Sequence, residues 1–127
     1  MVPDGWRMVV GDDELVVEQP ESLARVTLRE LSGQARADAI ASAMPAEFAD
    51  WTDRSLSDSY APVVDRFQFS FTGTKNGRAY VAIVEWLSWG ELVVEVTTEM
   101  PGAIWASDTR VRNAAILVAG SLSPSPR

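Results

Sequence analysis

An Asn-Gly dipeptide between two alternating runs of residues constrains the fold of this chain more than any other feature. Asn76-Gly77 is the pair that type I′ hairpin turns prefer, because both central residues of such a turn need positive φ angles. Phe67, Phe69 and Phe71 alternate with polar residues before this turn, as in a half-buried strand. The turn therefore predicts a hairpin with one apolar face. Its pairs are Lys75–Arg78, Phe71–Ala82, Phe69–Val84 and Phe67–Trp86.

The next turn is compatible with two registers, and the apolar pattern favours one of them. A two-residue loop, Trp89-Gly90, would set Trp86 opposite Val93 and turn the following apolar row to the other face. A three-residue loop, Ser88-Trp89-Gly90, gives an apolar face that continues over three strands, with Gly90 in the left-handed position that such loops require. We predict the second register, because a one-residue slip would expose a whole apolar row. Its pairs are Trp86–Leu92, Val84–Val94 and Ala82–Val96.

The first half of the chain predicts three more strands. Trp6–Val10 and Glu14–Glu18 are short apolar runs on either side of Gly11-Asp12-Asp13, and this pattern predicts a hairpin. Ala24–Leu31 alternates arginine and threonine with apolar residues, which is typical of a strand.

Two segments predict helices. Gln34–Met44 is rich in alanine, and its apolar spacing continues to Trp51, so we expect two short helices or one helix kinked at Pro45. Pro101-Gly102 ends the sheet, and Ala103–Gly120 is predicted to be a closing helix. We expect this helix to pack on the face of the meander that carries the phenylalanines.

These elements predict an α+β fold, with an antiparallel sheet of about six or seven strands flanked by helices. The length of 127 residues and the hydrophobic share of 46% suit one domain with one core. We therefore predict a single domain over residues 1–122. The remaining residues, 123–127, are rich in serine and proline and are expected to form a flexible tail.

The motif Pro3-Asp4-Gly5-Trp6, the hairpin Arg78–Glu99 and the closing segment Ala115–Leu122 resemble features of the PsbP-like superfamily. This group includes PsbP proteins of the oxygen-evolving complex, a fungal Ran-binding import factor, DcrB-type lipoproteins and the Eag adaptor chaperones. The family's usual leading strand is missing or reduced to Val2 here, and there is no lipobox cysteine. The resemblance implies a central antiparallel sheet flanked by helices, and adaptor or binding roles rather than catalysis.

Charge and composition exclude several function classes. Eleven basic against eighteen acidic residues give a net charge of −7, which disfavours nucleic-acid and membrane-surface partners. The chain has no cysteine and no histidine, so thiolate chemistry and histidine catalysis are excluded. The Asp12-Asp13-Glu14 cluster lacks the ligand spacing of a calcium loop, and no metal site or cofactor is predicted. The chain has neither a spanning apolar run nor a signal peptide, and is expected to be cytoplasmic.

The chain also offers few candidates for catalysis. Lys75, the only lysine, lies in a predicted turn, where a desolvated nucleophile is not expected. Glu85 and Glu95 are the best carboxylate pair, since the chosen register places both on the same sheet face, but no substrate cleft is evident. We predict that the protein is not an enzyme and has no catalytic residues.

The face opposite the phenylalanines carries the predicted binding site. It mixes apolar and polar residues, being too apolar for plain exposure and too polar for a deep core. Trp89 is predicted to lie at a turn tip, where an exposed aromatic side chain suits recognition. We predict a non-enzymatic protein-binding or chaperone-like adaptor for another protein or peptide, of open oligomeric state. The alternative is a small-molecule or lipid-binding domain. The predicted site residues are Val81, Ile83, Leu87 and Trp89.

Overall fold

The computed structural model describes residues 3–12, 14–31, 51–63, 66–89 and 92–122. These ranges contain seven strands followed by two helices. The strands are β1 (Arg7–Val10), β2 (Glu14–Gln19), β3 (Ala24–Leu31), β4 (Thr52–Val63), β5 (Arg66–Lys75), β6 (Arg78–Trp89) and β7 (Leu92–Pro101), and the helices are α1 (Gly102–Ser107) and α2 (Thr109–Leu122).

All seven strands belong to one antiparallel sheet, in the order β1-β2-β3-β7-β6-β5-β4. The last strand, β7, is therefore the central one, and it joins the N-terminal meander to the C-terminal one. The predicted fold class, α+β with an antiparallel sheet and helices, is confirmed. The predicted helical segment at 34–44 and the tail at 123–127 lie outside the described residues.

The hairpin of β5 and β6 has the predicted register. Lys75 pairs with Arg78, Phe69 with Val84 and Phe67 with Trp86. The turn residues have the positive φ angles that the dipeptide suggests, 53° at Asn76 and 76° at Gly77.

Alanine substitutions at two glycines, one of them in this turn, separate the effect of backbone strain from that of a steric clash. A Cβ at Gly77 would meet no atom within 4 Å, and the same holds at Gly120, which lies inside α2. Only Gly77 has a positive φ. We therefore expect Gly77→Ala to lower the free energy of unfolding by about 1 kcal/mol, whereas Gly120→Ala should raise it by up to about 1 kcal/mol. Urea denaturation of both variants checks this, and a stabilised Gly77→Ala protein would contradict it.

The register predicted for β6 and β7 is wrong. Trp86 pairs with Glu95 and Val84 with Thr97, so the predicted pair of Val84 with Val94 does not form. Trp89 is the last residue of β6 and pairs with Leu92, so the predicted position of Trp89 at the turn tip is also wrong. The reason is that β7 is buried on both faces. Residues on both sides of this strand are at most 9% exposed: Val94, Val96 and Met100 on one side, and Glu95 and Thr97 on the other. An argument from a single apolar face cannot select the register of such a strand.

The closing helices pack on the face opposite the predicted one. Val111, Ala115 and Val118 of α2 form one core cluster with Val96 and Met100 of β7. We call this side of the sheet the helix face. The face that carries Phe71, Ala82, Val84 and Trp86 is the second face, and these four residues are also buried. The changed register explains the error, because an odd shift along β7 moves its valines to the other side of the sheet.

The predicted closing helix is divided in two at Asp108. This residue leaves helical geometry, with φ −104° and ψ 83°, and its Oδ1 accepts a hydrogen bond from the Val111 N–H at 3.1 Å. Asp108 thus caps the N-terminus of α2. The helix continues to Leu122, beyond the end predicted at Gly120.

Candidate binding surface

A half-buried strip lies along β6 on the helix face. Val81, Ile83 and Glu85 alternate outward on this side and are neither fully buried nor fully exposed. Their neighbours on β5 are polar: Val81 pairs with Thr72, Ile83 with Ser70 and Glu85 with Gln68. We call these six residues the β6 strip. It presents two aliphatic side chains among groups that can donate and accept hydrogen bonds, which is the make-up of a protein-binding surface.

The helices border this strip along the β7 side. Val81 pairs with Met100 and Ile83 with Thr98, and both partners are buried beside α1 and α2. Val81 and Ile83 are therefore half-buried beside buried residues of the helix face.

Two of the four predicted site residues come together in this strip. Val81 and Ile83 lie two positions apart on β6, on the face opposite Phe71, as alternation predicts. Leu87 and Trp89 occupy later register positions on the same strand, paired with Val94 and Leu92. The side chains of Leu87 and Trp89 lie outside what the structure describes, and their role stays a prediction.

An open apolar groove lies on the same side of the sheet, towards the β1 edge. It has a volume of about 340 Å³. Sequence reasoning missed it, because its lining combines the β1–β2 hairpin with β3 and with Val94 of β7, and β3 and β7 become neighbours only in the folded sheet. Its lining residues are Val10, Gly11, Glu14, Leu15, Leu28, Arg29, Glu30 and Val94.

On the second face, charged residues of the adjacent strands β2, β3 and β7 lie side by side, and the last of them contacts a buried tryptophan of β6. Arg29 donates to Glu14 at 2.8 Å and lies opposite Glu95 in the sheet. Glu95 is 2% exposed, and its Oε2 accepts a hydrogen bond from the Trp86 indole N–H at 2.7 Å. Opposite charges on adjacent strands stabilise their pairing, and a buried carboxylate needs such partners. This row therefore stabilises the pairing of β2, β3, β7 and β6.

The structure separates the carboxylates that sequence reasoning had placed together. Glu85 pairs with Val96 and faces the helices, whereas Glu95 pairs with Trp86 and faces the other way, so the predicted same-face pair is wrong. Lys75 is held by Glu99, with 3.4 Å between Nζ and Oε2, and lies 5.3 Å from the centre of the Tyr80 ring.

The described part of the chain has neither a cluster of metal ligands nor a helix suited to a membrane. Within these ranges, no three acidic side chains are grouped closely enough to hold a metal ion. None of the described helices is long and apolar enough to cross a membrane. The predicted absence of a metal or cofactor stays a prediction.

This arrangement of sheet and closing helices is similar to that of solved structures that include the Ran-binding protein Mog1p, and this likeness confirms the predicted resemblance at the level of the fold. Three of the solved structures with a similar fold cover most of this chain, and these three are distant in sequence. The Ran-binding protein Mog1p of Saccharomyces cerevisiae has a TM-score of 0.60 at 11% identity, over 94% of this chain and 83% of its own. PA94 of Pseudomonas aeruginosa, a protein of unknown function, has a TM-score of 0.57 at 13% identity, over 99% and 90%.

The third is LpqN of Mycobacterium tuberculosis, which is involved in cell envelope biogenesis. It has a TM-score of 0.54 at 16% identity, over 91% of this chain and 77% of its own. At these identities the likeness establishes the fold alone. The sequence matches no protein-family model and no curated protein sequence.

Proposed function

We propose that this chain is a non-enzymatic, adaptor-like domain that binds another protein or peptide along the β6 strip. The observation that carries the proposal is the half-buried state of Val81 and Ile83 beside the helices, with polar residues of β5 along the other side. Burying these aliphatic groups under a partner would add a hydrophobic contribution, while Gln68, Ser70 and Glu85 could set the orientation of the partner.

Two further observations support a binding role over a catalytic one. Glu85 and Glu95 lie on opposite faces, so the one carboxylate pair that sequence reasoning singled out cannot act on one substrate. The Ran-binding activity named for Mog1p is also a protein-binding activity, on a domain of the same fold. Fold likeness alone does not transfer function, so the β6 strip has to be tested directly.

A charge placed in the strip is expected to abolish binding. Ile83→Asp should remove capture of partner polypeptides from a lysate of the host organism, because a carboxylate would then have to be buried without a counter-charge. Leu117→Asp is the matched control, since Leu117 is 73% exposed on α2, away from the strip. Quantitative mass spectrometry of the captured proteins, together with melting temperatures of both variants, gives the readout. Equal capture by wild type and a folded Ile83→Asp protein would refute the role of the strip.

The open groove supports a second candidate function, binding of a small molecule or lipid. Its volume of about 340 Å³ is near the lower end of ligand-site volumes, and its walls include Leu15, Leu28 and Val94. Native mass spectrometry of the protein purified from its own host separates the two candidates. A small bound mass would favour the groove, and a co-purifying polypeptide would favour the β6 strip.

A further inference from the structure

The outer edge of the sheet at β1 is unprotected. All four residues of β1 are exposed, and three of them are apolar: Met8 is 48% exposed, Val9 46% and Val10 75%. Edge strands of soluble proteins usually carry charges, prolines or bulges that prevent pairing with another chain. The only charged residue of β1 is Arg7, at its beginning.

Two apolar rows of the helix face end at this edge. In one row Val10 pairs with Leu15, which pairs with Leu28. In the other, Met8 pairs with Val17, which pairs with Val26. Val17 and Val26 are buried in the core, whereas Met8 and Val10 are left in solvent. The outermost residues of the two rows, Met8 and Val10, therefore lack a neighbouring strand that would bury them.

The backbone of β1 also has hydrogen-bonding groups that point to the free edge, where another strand could pair with them. The Gly11 N–H donates to the Glu14 carbonyl at 2.8 Å, which makes these two residues a hydrogen-bonded pair. Because such pairs alternate along an antiparallel ladder, Val9 is bonded to Val16 while Met8 and Val10 are in non-hydrogen-bonded pairs with β2. The amides and carbonyls of Met8 and Val10 consequently point away from β2, towards the free edge.

We propose that a second copy of this chain pairs with β1, antiparallel and about a two-fold axis through Val9. In this arrangement Val9 lies opposite Val9 of the partner subunit, and Met8 lies opposite Val10 of the partner subunit. The outward backbone groups of Met8 and Val10 then make the inter-subunit ladder, and the two apolar rows continue across the axis.

The charges of β1 favour a second copy over an unrelated strand. Arg7 begins the strand, and Asp12 follows its end. Antiparallel pairing about Val9 sets Arg7 opposite Gly11 of the partner subunit, beside Asp12 of the partner subunit. Both residues are exposed, and each subunit supplies one of each. Arg7 already donates to Glu18 of its own chain at 2.9 Å, so in the dimer its guanidinium bridges Glu18 and Asp12 of the partner subunit, once on each side of the axis. Four residues of edge pairing make a small interface, and we expect a dissociation constant on the order of tens of micromolar.

Disulfide trapping tests the register directly, because the chain has no cysteine. Val9→Cys places the two thiols opposite each other in a non-hydrogen-bonded pair, with Cα atoms about 4.5 Å apart, which a disulfide can bridge. Val10→Cys is the matched control. Its two copies lie diagonally at about 7–8 Å, near the limit for a bridge.

We expect mild oxidation at about 100 µM protein, above the expected dissociation constant, to convert most of the Val9→Cys protein to a covalent dimer, at least tenfold faster than Val10→Cys. Equal rates for the two variants, or no crosslinking at Val9, would overturn the proposed pairing.

Sedimentation of cysteine-free protein gives an independent readout. Wild type should change from monomer to dimer between about 1 and several hundred micromolar. Met8→Pro should stay monomeric over this range, because it removes an outward N–H and obstructs the edge while leaving the bonds between β1 and β2 in place. Its melting temperature reports whether the hairpin is intact. A wild-type monomer at the highest concentration, or an unchanged dimer in a folded Met8→Pro protein, would refute the proposal.

Discussion

Replacing Trp86 with alanine is expected to lower the free energy of unfolding by about 3–5 kcal/mol. The Trp86 side chain is fully buried at the centre of the second face, between Phe67 of β5 and Glu95 of β7 in the sheet. Truncation leaves a cavity and also removes the indole donor of Glu95, which is itself 2% exposed. Urea denaturation measures the loss as a lower midpoint at an unchanged slope.

Trp86→Phe separates the two causes of this loss. Phenylalanine retains most of the ring volume but cannot donate to Glu95, and a hydrogen bond to a charged group contributes about 1.5–3 kcal/mol. We expect this variant to account for about half of the alanine effect. A double-mutant cycle with Glu95→Gln, which keeps an acceptor oxygen but removes the carboxylate, then gives the part of the coupling that depends on the carboxylate.

Trp105→Ala is the matched control for the tryptophan truncation. Trp105 is only half-buried, beside the guanidinium of Arg112 at 5.6 Å from its ring centre. We expect this variant to lose clearly less stability than Trp86→Ala. A loss for Trp105→Ala that equals or exceeds that for Trp86→Ala would show that the second face is not the tightly packed part of the domain.

Ala115→Asp is the second substitution for which we expect a large effect. Ala115 has 0% exposure and lies in the core cluster between Val111 and Val118 of α2 and the helix face of the sheet. An aspartate there would bury a carboxyl group without a partner and force α2 away from β3 and β7. We expect a loss of about 3–5 kcal/mol, measured by urea denaturation.

Leu117→Asp, on the same helix, controls for helix propensity and for charge near the helix C-terminus. Leu117 is 73% exposed, so this variant should stay within about 1 kcal/mol of wild type. Similar losses at the two positions would mean that α2 does not pack through its Ala115 side.

Short-range features of the fold could be predicted from the sequence because their causes are local. The β5–β6 register follows from Asn76-Gly77, since few residues accept two successive positive φ angles and the turn then sets every pair by counting. The same alternation placed Val81 and Ile83 on the face opposite Phe71. The fold class and the two N-terminal hairpin strands followed from equally local patterns.

The candidate site could be predicted only in part. Its two aliphatic residues on β6 were found from their alternation with Ala82 and Val84. The groove near Val10 was not, because Leu28 and Val94 meet only when β3 and β7 pair. The hydrogen bond between Trp86 and Glu95 likewise depends on the register of β6 and β7, and the single Gly90 near that turn is compatible with more than one register.

The sequence by itself determined the β5–β6 hairpin, the α+β class and every described strand except β4, because turn geometry and alternating burial act between near neighbours in the chain. The position of β7 at the centre of the sheet was decided by the tertiary structure. A central strand is buried on both faces, so Val96 and Glu95 are both inside and alternation no longer indicates which of them faces the helices. The orientation of β7 depends on which face of the sheet α2 covers and on the hydrogen bond from the Trp86 indole to Glu95. Both interactions are long-range and form only in the folded chain.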